Sequence, residues 1–173
     1  MFSKKLQVMV KDVGNLQKDF RILLKKVLEP KAAKLLWKHY KSDTLRLYSW
    51  TPSDVGIDGL TSLYFERKQY KKSRKKLVYL YINTNVIMSN SVCWRMSILL
   101  HELGHAIHFF DSHVTKKCPV LPHLQHGKCW KNVLKNKIRR CNKELKACAS
   151  LEESPQEGCQ SMKECKWCLT KRM

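Results

Sequence analysis

His101, Glu102 and His105 stand in the order His-Glu-Leu-Gly-His. Residues four apart share one face of a helix, so both imidazoles can reach a single ion. Zinc accepts neutral imidazole nitrogen at about 2.0–2.1 Å. Glu102, one position along, projects beside such an ion rather than onto it. There its carboxylate can take a proton from a metal-bound water and pass it to a leaving amine. The metal brings the pKa of that water toward about 7. The pattern therefore points to metal-assisted hydrolysis of a peptide bond. The same short pattern also occurs in helices that bind nothing. Here Ile98-Leu99-Leu100 runs straight into it, which sets it deep inside an amphipathic helix.

A catalytic zinc needs a third protein ligand and one open position. The candidates downstream are His108, Asp111, His113, Cys118, His123 and His126. His108 is too close along the helix to complete a tetrahedron. Asp111 falls six residues past His105, where some zinc peptidases place a third ligand after a glycine turn. Here His108-Phe109-Phe110 occupies the turn position, so the helix is expected to run on and carry Asp111 off the zinc face. His126 is favoured. It follows a segment holding Pro119 and Pro122 and opens His126-Gly127-Lys128-Cys129-Trp130 just ahead of another helix. Gly127 lets backbone come close to an ion, and Trp130 can anchor the helix in the core. His123 and Asp111 stay as rivals.

The elements that must position these residues are readable from periodicity. Residues 4–40 look helical, with Leu16, Phe20, Leu23, Leu24 and Val27 on one face and a break at Pro30. Residues 45–50 alternate as a strand, and Thr51-Pro52-Ser53-Asp54 signals a turn. Residues 60–66 and 77–83 read as two more strands. Residues 90–111 form the clearest helix, capped by Asn90 or Ser91, with Val92, Met96, Leu99, Leu103, Ala106 and Phe110 as its apolar stripe. Residues 128–141 read as the last helix. The expected fold is α+β and zincin-like: N-terminal helices and a small antiparallel sheet packed on a metal-bearing helix pair. Residues 1–140 would form this domain and residues 141–173 a cysteine-rich appendage.

Hydrophobic residues make up 43% of the chain, enough for a packed core. Lys and Arg number 34 against 14 Asp and Glu, a formal charge of +20. Such an excess seeks a polyanion, and counterion release from phosphates favours nucleic acid over a membrane surface. Between the second and third strands, Lys68, Tyr70, Lys71, Lys72, Arg74, Lys75 and Lys76 are expected to hold nucleic acid, with Tyr70 stacking on a base. The plain alternative is a solvated hairpin tip. No apolar run approaches the roughly 18 residues of a membrane span, and Met1 to Val10 lacks a secretory apolar region. An intracellular, unsecreted protein is expected, so the eight cysteines read as thiols or metal ligands. Cys165-Lys166-Trp167-Cys168 has zinc-knuckle spacing, and Cys148, Cys159, Cys165 and Cys168 are the expected ligands of a second, structural zinc. A tail of reactive thiols is the alternative. Cys93, Cys118 and Cys129 read as ordinary buried or loop thiols.

His101-Glu102-Leu103-Gly104-His105-Ala106, followed by His126-Gly127-x-x-Trp130 at a helix start, resembles the SprT-like zinc metallopeptidases, the family of the Spartan-like DNA–protein crosslink proteases. The resemblance covers roughly residues 30–140. It implies His101, His105 and His126 as ligands of one catalytic Zn2+ and Glu102 as the catalytic residue. It also implies cleavage of DNA-bound or crosslinked proteins, with single-stranded DNA as the partner of a nuclear or DNA-associated monomer, and a degenerate zinc ribbon in the tail. Two features depart from the pattern: an interval of 20 residues between His105 and His126, and an enlarged basic hairpin. A second resemblance, to ImmA/IrrE-type regulatory metallopeptidases, rests on His-Glu-Leu-Gly-His followed by another His. That family takes a Glu ligand from a Glu-rich helix, and acidic residues after Asp111 begin only at Glu144. From another class, a non-catalytic zinc-containing DNA-binding protein fits the same charge.

Overall fold

The computed structural model describes residues 10–11, 14–51, 59–67, 74–117 and 127–138. In chain order these form β1 (Val10–Lys11), α1 (Asn15–Ile22) running on as π-helical turns over Leu23–Val27, α2 (Pro30–Lys41), β2 (Leu45–Trp50), β3 (Gly59–Arg67), β4 (Arg74–Asn83), α3 (Thr84–Ile87), α4 (Val92–Phe110), α5 (Ser112–Lys117) and α6 (Lys128–Lys137). The α+β class matches the expectation.

The sheet has the order β1-β2-β4-β3. Its centre is β4, whose inner residues Val78, Leu80 and Ile82 are wholly buried. β3 pairs with β4 antiparallel, and the ladder reaches into the basic run as far as Arg67 opposite Arg74. β2, however, pairs with β4 in parallel, Leu45 opposite Val78 through Trp50 opposite Asn83. The expected antiparallel sheet is therefore corrected to a mixed one. The residues of the expected turn after Thr51 lie outside the described ones; alternation within a strand carries no record of which neighbour it will take. β4, apolar inward at Val78, Leu80 and Ile82, occupies the slot between β2 and β3, where both its edges are hydrogen-bonded. On the opposite face, Tyr48 stacks on Tyr81 with ring centroids 5.4 Å apart, and Tyr64 leans on Tyr79 at 5.2 Å.

The N-terminal helical expectation needs one correction: Val10 and Lys11 are strand, paired with Ser49 and Tyr48. The helix begins only at Asn15 and buries Leu16, Phe20, Leu23 and Val27 as its periodicity requires. Pro30 opens α2 at its first turn, where a missing N–H costs nothing. Asp19, buried on α1, pairs with Arg95 in the first turn of α4, and Arg95 also donates to the Ser89 carbonyl at 3.0 Å. Removing either charge would strand the other away from water, a loss on the order of 3–5 kcal/mol.

α4 starts at Ser91, whose hydroxyl accepts the Trp94 N–H at 3.2 Å. A single apolar stripe underdescribes this helix. Ile98, Leu99, Leu100, Leu103, Ala106 and Ile107 are all buried, as are Glu102 and His108, because the sheet, α2 and α6 enclose it. It stops at Phe110 instead of running on. Asp111 turns to extended backbone and accepts the Val114 N–H of α5 at 3.3 Å, so the aspartate that ends one helix starts the next. Lys76 of β4 donates its ammonium to the Phe109 carbonyl and lies 5.0 Å over the Phe109 ring, closing the helix end. α6 ends at Lys137, short of the expected residue 141, because Ile138 leaves the helix to bridge Leu28.

His39 of α2 stacks on Phe110 with ring centroids 3.6 Å apart, and its Nδ1 is hydrogen-bonded to Thr44 Oγ1 at 2.8 Å. Burial, then Lys38 and Lys76, hold its pKa below the usual value. The unfolded chain therefore binds the proton more readily than the fold. Stability should be complete above about pH 6.5 and fall as the medium is acidified below it. Thermal melts across that range should show this slope reduced in His39→Gln; equal slopes would contradict the assignment.

Candidate metal centre

α4 presents His101 and His105 one turn apart, both partly exposed within the otherwise buried stretch 96–110. Their ring centroids are 5.2 Å apart and their planes cross at 67°. Two imidazoles bound to one tetrahedral zinc through nitrogens at about 2.0–2.1 Å would have centroids roughly 5 Å apart. The pair fits that requirement. Trp130, wholly buried in the first turn of α6, lies against both rings, with centroids 4.7 Å from His101 and 5.2 Å from His105. A rigid indole behind two ligands limits their rotation, which is what a metal site needs from its surroundings.

Gly104, between the two histidines, permits this packing. A Cβ there would lie 2.7 Å from Leu134 Cδ2 and 3.1 Å from Trp130 Nε1. The third residue of local importance is Glu102, 6% exposed and turned toward the sheet. Its carboxylate accepts the hydroxyl of Thr61 on β3, the edge strand of the described sheet, and Thr61 also reaches the Glu102 carbonyl at 3.4 Å. Gly59 comes so close that a Cβ on it would stand 2.7 Å from Glu102 Oε1. Burial pushes the Glu102 carboxyl up to about 7, and the Thr61 hydrogen bond offsets part of that rise. A carboxyl titrating near neutrality is suited to take and return a proton.

Gly59 and Thr61 went unassigned in the sequence. The available signals were a glycine at the start of a strand, which marks close backbone approach, and a polar Thr61 on the face shared with Leu63.

The remaining candidates divide. Asp111 sits 3.8 Å from Lys137 at the far end of α6 from Trp130, and is committed to the α4–α5 junction. It is not placed to be the third ligand. His108 is buried within α4. His123 and His126 lie outside the described residues, though His126 immediately precedes Gly127, the residue that opens α6. Among the described residues, no group of three His, Cys, Asp or Glu side chains is gathered for a metal.

Lys68, Tyr70, Lys71 and Lys72 lie outside the described residues, and Arg74 and Lys75 belong to the β4 ladder. Lys76 is removed from the surface array, since its half-buried ammonium is held at the α4 end, where burial lowers its pKa. Cys93 and Cys129 are disulfide-bonded, which corrects their reading as thiols. Both sit in first helical turns, Cys93 in α4 and Cys129 in α6. Cys118, Cys148, Cys159, Cys165 and Cys168 lie outside the described residues. No described helix is long and apolar enough to cross a membrane.

No family model, curated protein or solved structure matches this chain.

Gly104→Ala should force Leu134 and Trp130 outward, costing about 1–3 kcal/mol. The same shift should weaken zinc binding by loosening the indole behind His101 and His105. Thermal melts and zinc titration check both effects, and Leu134→Ala in the same chain should restore part of each by vacating the contested space.

Proposed function

We propose that this chain is a zinc-dependent endopeptidase with a zincin-like catalytic helix, acting on proteins bound or crosslinked to DNA. The carrying observation is the arrangement on α4: two imidazoles at the spacing one tetrahedral ion requires, with a buried carboxyl between them in sequence. The preference for DNA-bound substrates is supported by the +20 charge and by the SprT-like pattern of His101-Glu102-Leu103-Gly104-His105 with His126 and Trp130.

In this reading His101 and His105 hold Zn2+ with His126 as third ligand. His126 precedes Gly127, the N-cap of α6, in sequence, and α6 brings Trp130 of its first turn against both imidazoles. Bound zinc supplies Lewis acidity toward a carbonyl and a more acidic water. Glu102, its carboxyl titrating near neutrality, would hold a proton on its carboxylate and return it to a leaving amine. Thr61 orients the Glu102 carboxylate through its hydroxyl and stabilises the charged form. Trp130 and Leu134 fix the side of the site formed by α6.

A second reading has one observation in its favour. Glu102 is buried and hydrogen-bonded to Thr61, which would also suit a brace in a non-catalytic zinc protein that binds DNA. Glu102→Gln separates the two. The variant should retain zinc and lose cleavage of a DNA-bound protein substrate by at least about 100-fold. Unchanged cleavage would sink the mechanism, and a wild type that binds DNA without cleaving under any condition would favour the brace. Metal analysis of His126→Ala beside His123→Ala identifies the third ligand: only the former should come out zinc-depleted.

Thr61→Val keeps the shape and removes the donor. Because that donor favours the ionised carboxylate, its loss raises the Glu102 pKa. The acid limb of the pH–rate profile should move to higher pH, with zinc content unchanged.

A further inference from the structure

α1, its π-helical turns and α2 carry Lys18, Arg21, Lys25, Lys26, Lys31, Lys34, Lys38 and Lys41, against Asp19 within them and half-buried Glu29 at the N-cap of α2. Asp19 is buried and paired with Arg95, so it neutralises nothing outside. Between the two segments lies a groove of about 660 Å³, lined by Arg21, Leu24, Lys25, Ala33, Lys34 and Trp37. Its size falls within the roughly 300–1,000 Å³ of ordinary ligand pockets. Three cations, two small aliphatic surfaces and one indole make up that lining. A second concavity of about 310 Å³ shares Arg21 and Lys25 and adds Gln17 and Lys18, so the basic depression continues along α1. Trp37 is half-buried and stacked on Tyr40 with centroids 5.7 Å apart, which holds its indole in place.

We infer that this groove binds a single-stranded nucleic acid, with a base stacked on Trp37 and the backbone phosphates running past Arg21, Lys25 and Lys34 toward Lys18. The inference rests on the nucleic-acid reading above and adds a location that the basic hairpin does not supply. A row of cations tracks a phosphate backbone, and a fixed aromatic accepts any unpaired base through its π face. A duplex keeps its bases stacked on each other and offers no such face to an indole inside a groove. An anionic membrane is the poorer occupant. Membrane-binding aromatics project from a convex apolar helix face, whereas Trp37 lines a concave one.

The test uses the full chain and a fluorescently labelled oligothymidylate, followed by anisotropy across a salt series. Arg21→Ala, Lys25→Ala and Lys34→Ala combined should weaken binding at least about 10-fold and lower the slope of log affinity against log salt by about two. Trp37→Ala should cost roughly 5- to 150-fold with little change in that slope, and Trp37→Tyr should recover most of the loss. Recovery by tyrosine, with unchanged circular dichroism, distinguishes stacking from a folding defect. Lys116→Ala with Lys117→Ala on α5 serves as a charge-removal control. Equal losses in groove and control variants would overturn the groove while leaving nucleic-acid binding intact. Wild type that fails to bind the oligonucleotide would overturn both readings. Groove-dependent binding to phosphatidylserine vesicles without oligonucleotide binding would do so as well, and assign the groove to a membrane surface.

Discussion

Gly104 lets two helices approach until only side chains of α6 stand between them, and the candidate centre depends on that approach. A methyl group at this position would collide with Leu134 and press on Trp130. Its absence lets Trp130 sit wholly buried against His101 and His105 at once. The histidines would share a face on any helix. α6, whose N-cap Gly127 follows His126 in sequence, backs them with a rigid ring. A single small side chain thus couples core packing to candidate metal geometry, which is why stability and metal affinity are expected to move together there.

The opposite side of α4 is organised by burial of a charge-bearing group. Glu102 faces the sheet, where Gly59 leaves room for the carboxylate and Thr61 supplies a donor. Desolvation raises the cost of ionisation and the hydroxyl lowers it, leaving the carboxyl near neutrality. The edge strand therefore sets the electrostatics of that carboxyl as well as completing the sheet. The ends of α4 are held separately, by the Asp19–Arg95 pair at the start and by Lys76 and His39 at the finish. Fixing both ends of a helix and enclosing its middle is a means of holding three side chains in place with few degrees of freedom left to them.

The charge is distributed with some economy. Lys76, which reads in sequence as one more cation of the basic run, closes α4 from within. Lys137 pairs with Asp111 at the far end of α6. By contrast, the cations of α1 and α2 surround a concave surface with an aromatic lining and no acid among its lining residues. An electrostatic excess of +20 is a property of composition, but only the packing of those two segments makes part of it a groove.

What the sequence determined by itself is local. The spacing of His101, Glu102 and His105, the cap at Ser91, the break at Pro30 and the buried face of Leu16, Phe20, Leu23 and Val27 all follow from helical geometry within a few residues. The three long strands were legible for the same reason, since alternation is a property of one chain segment. Tertiary structure alone decided the parallel pairing of β2 with β4, the end of α4 at Asp111, the inward use of Lys76 and the meeting of Thr61 with a glutamate 41 residues away. The disulfide-bonded state of Cys93 and Cys129 belongs with these. The places of β2, Lys76 and Thr61 each depend on a partner distant in sequence, and periodicity records which face a residue occupies without recording what comes to cover it.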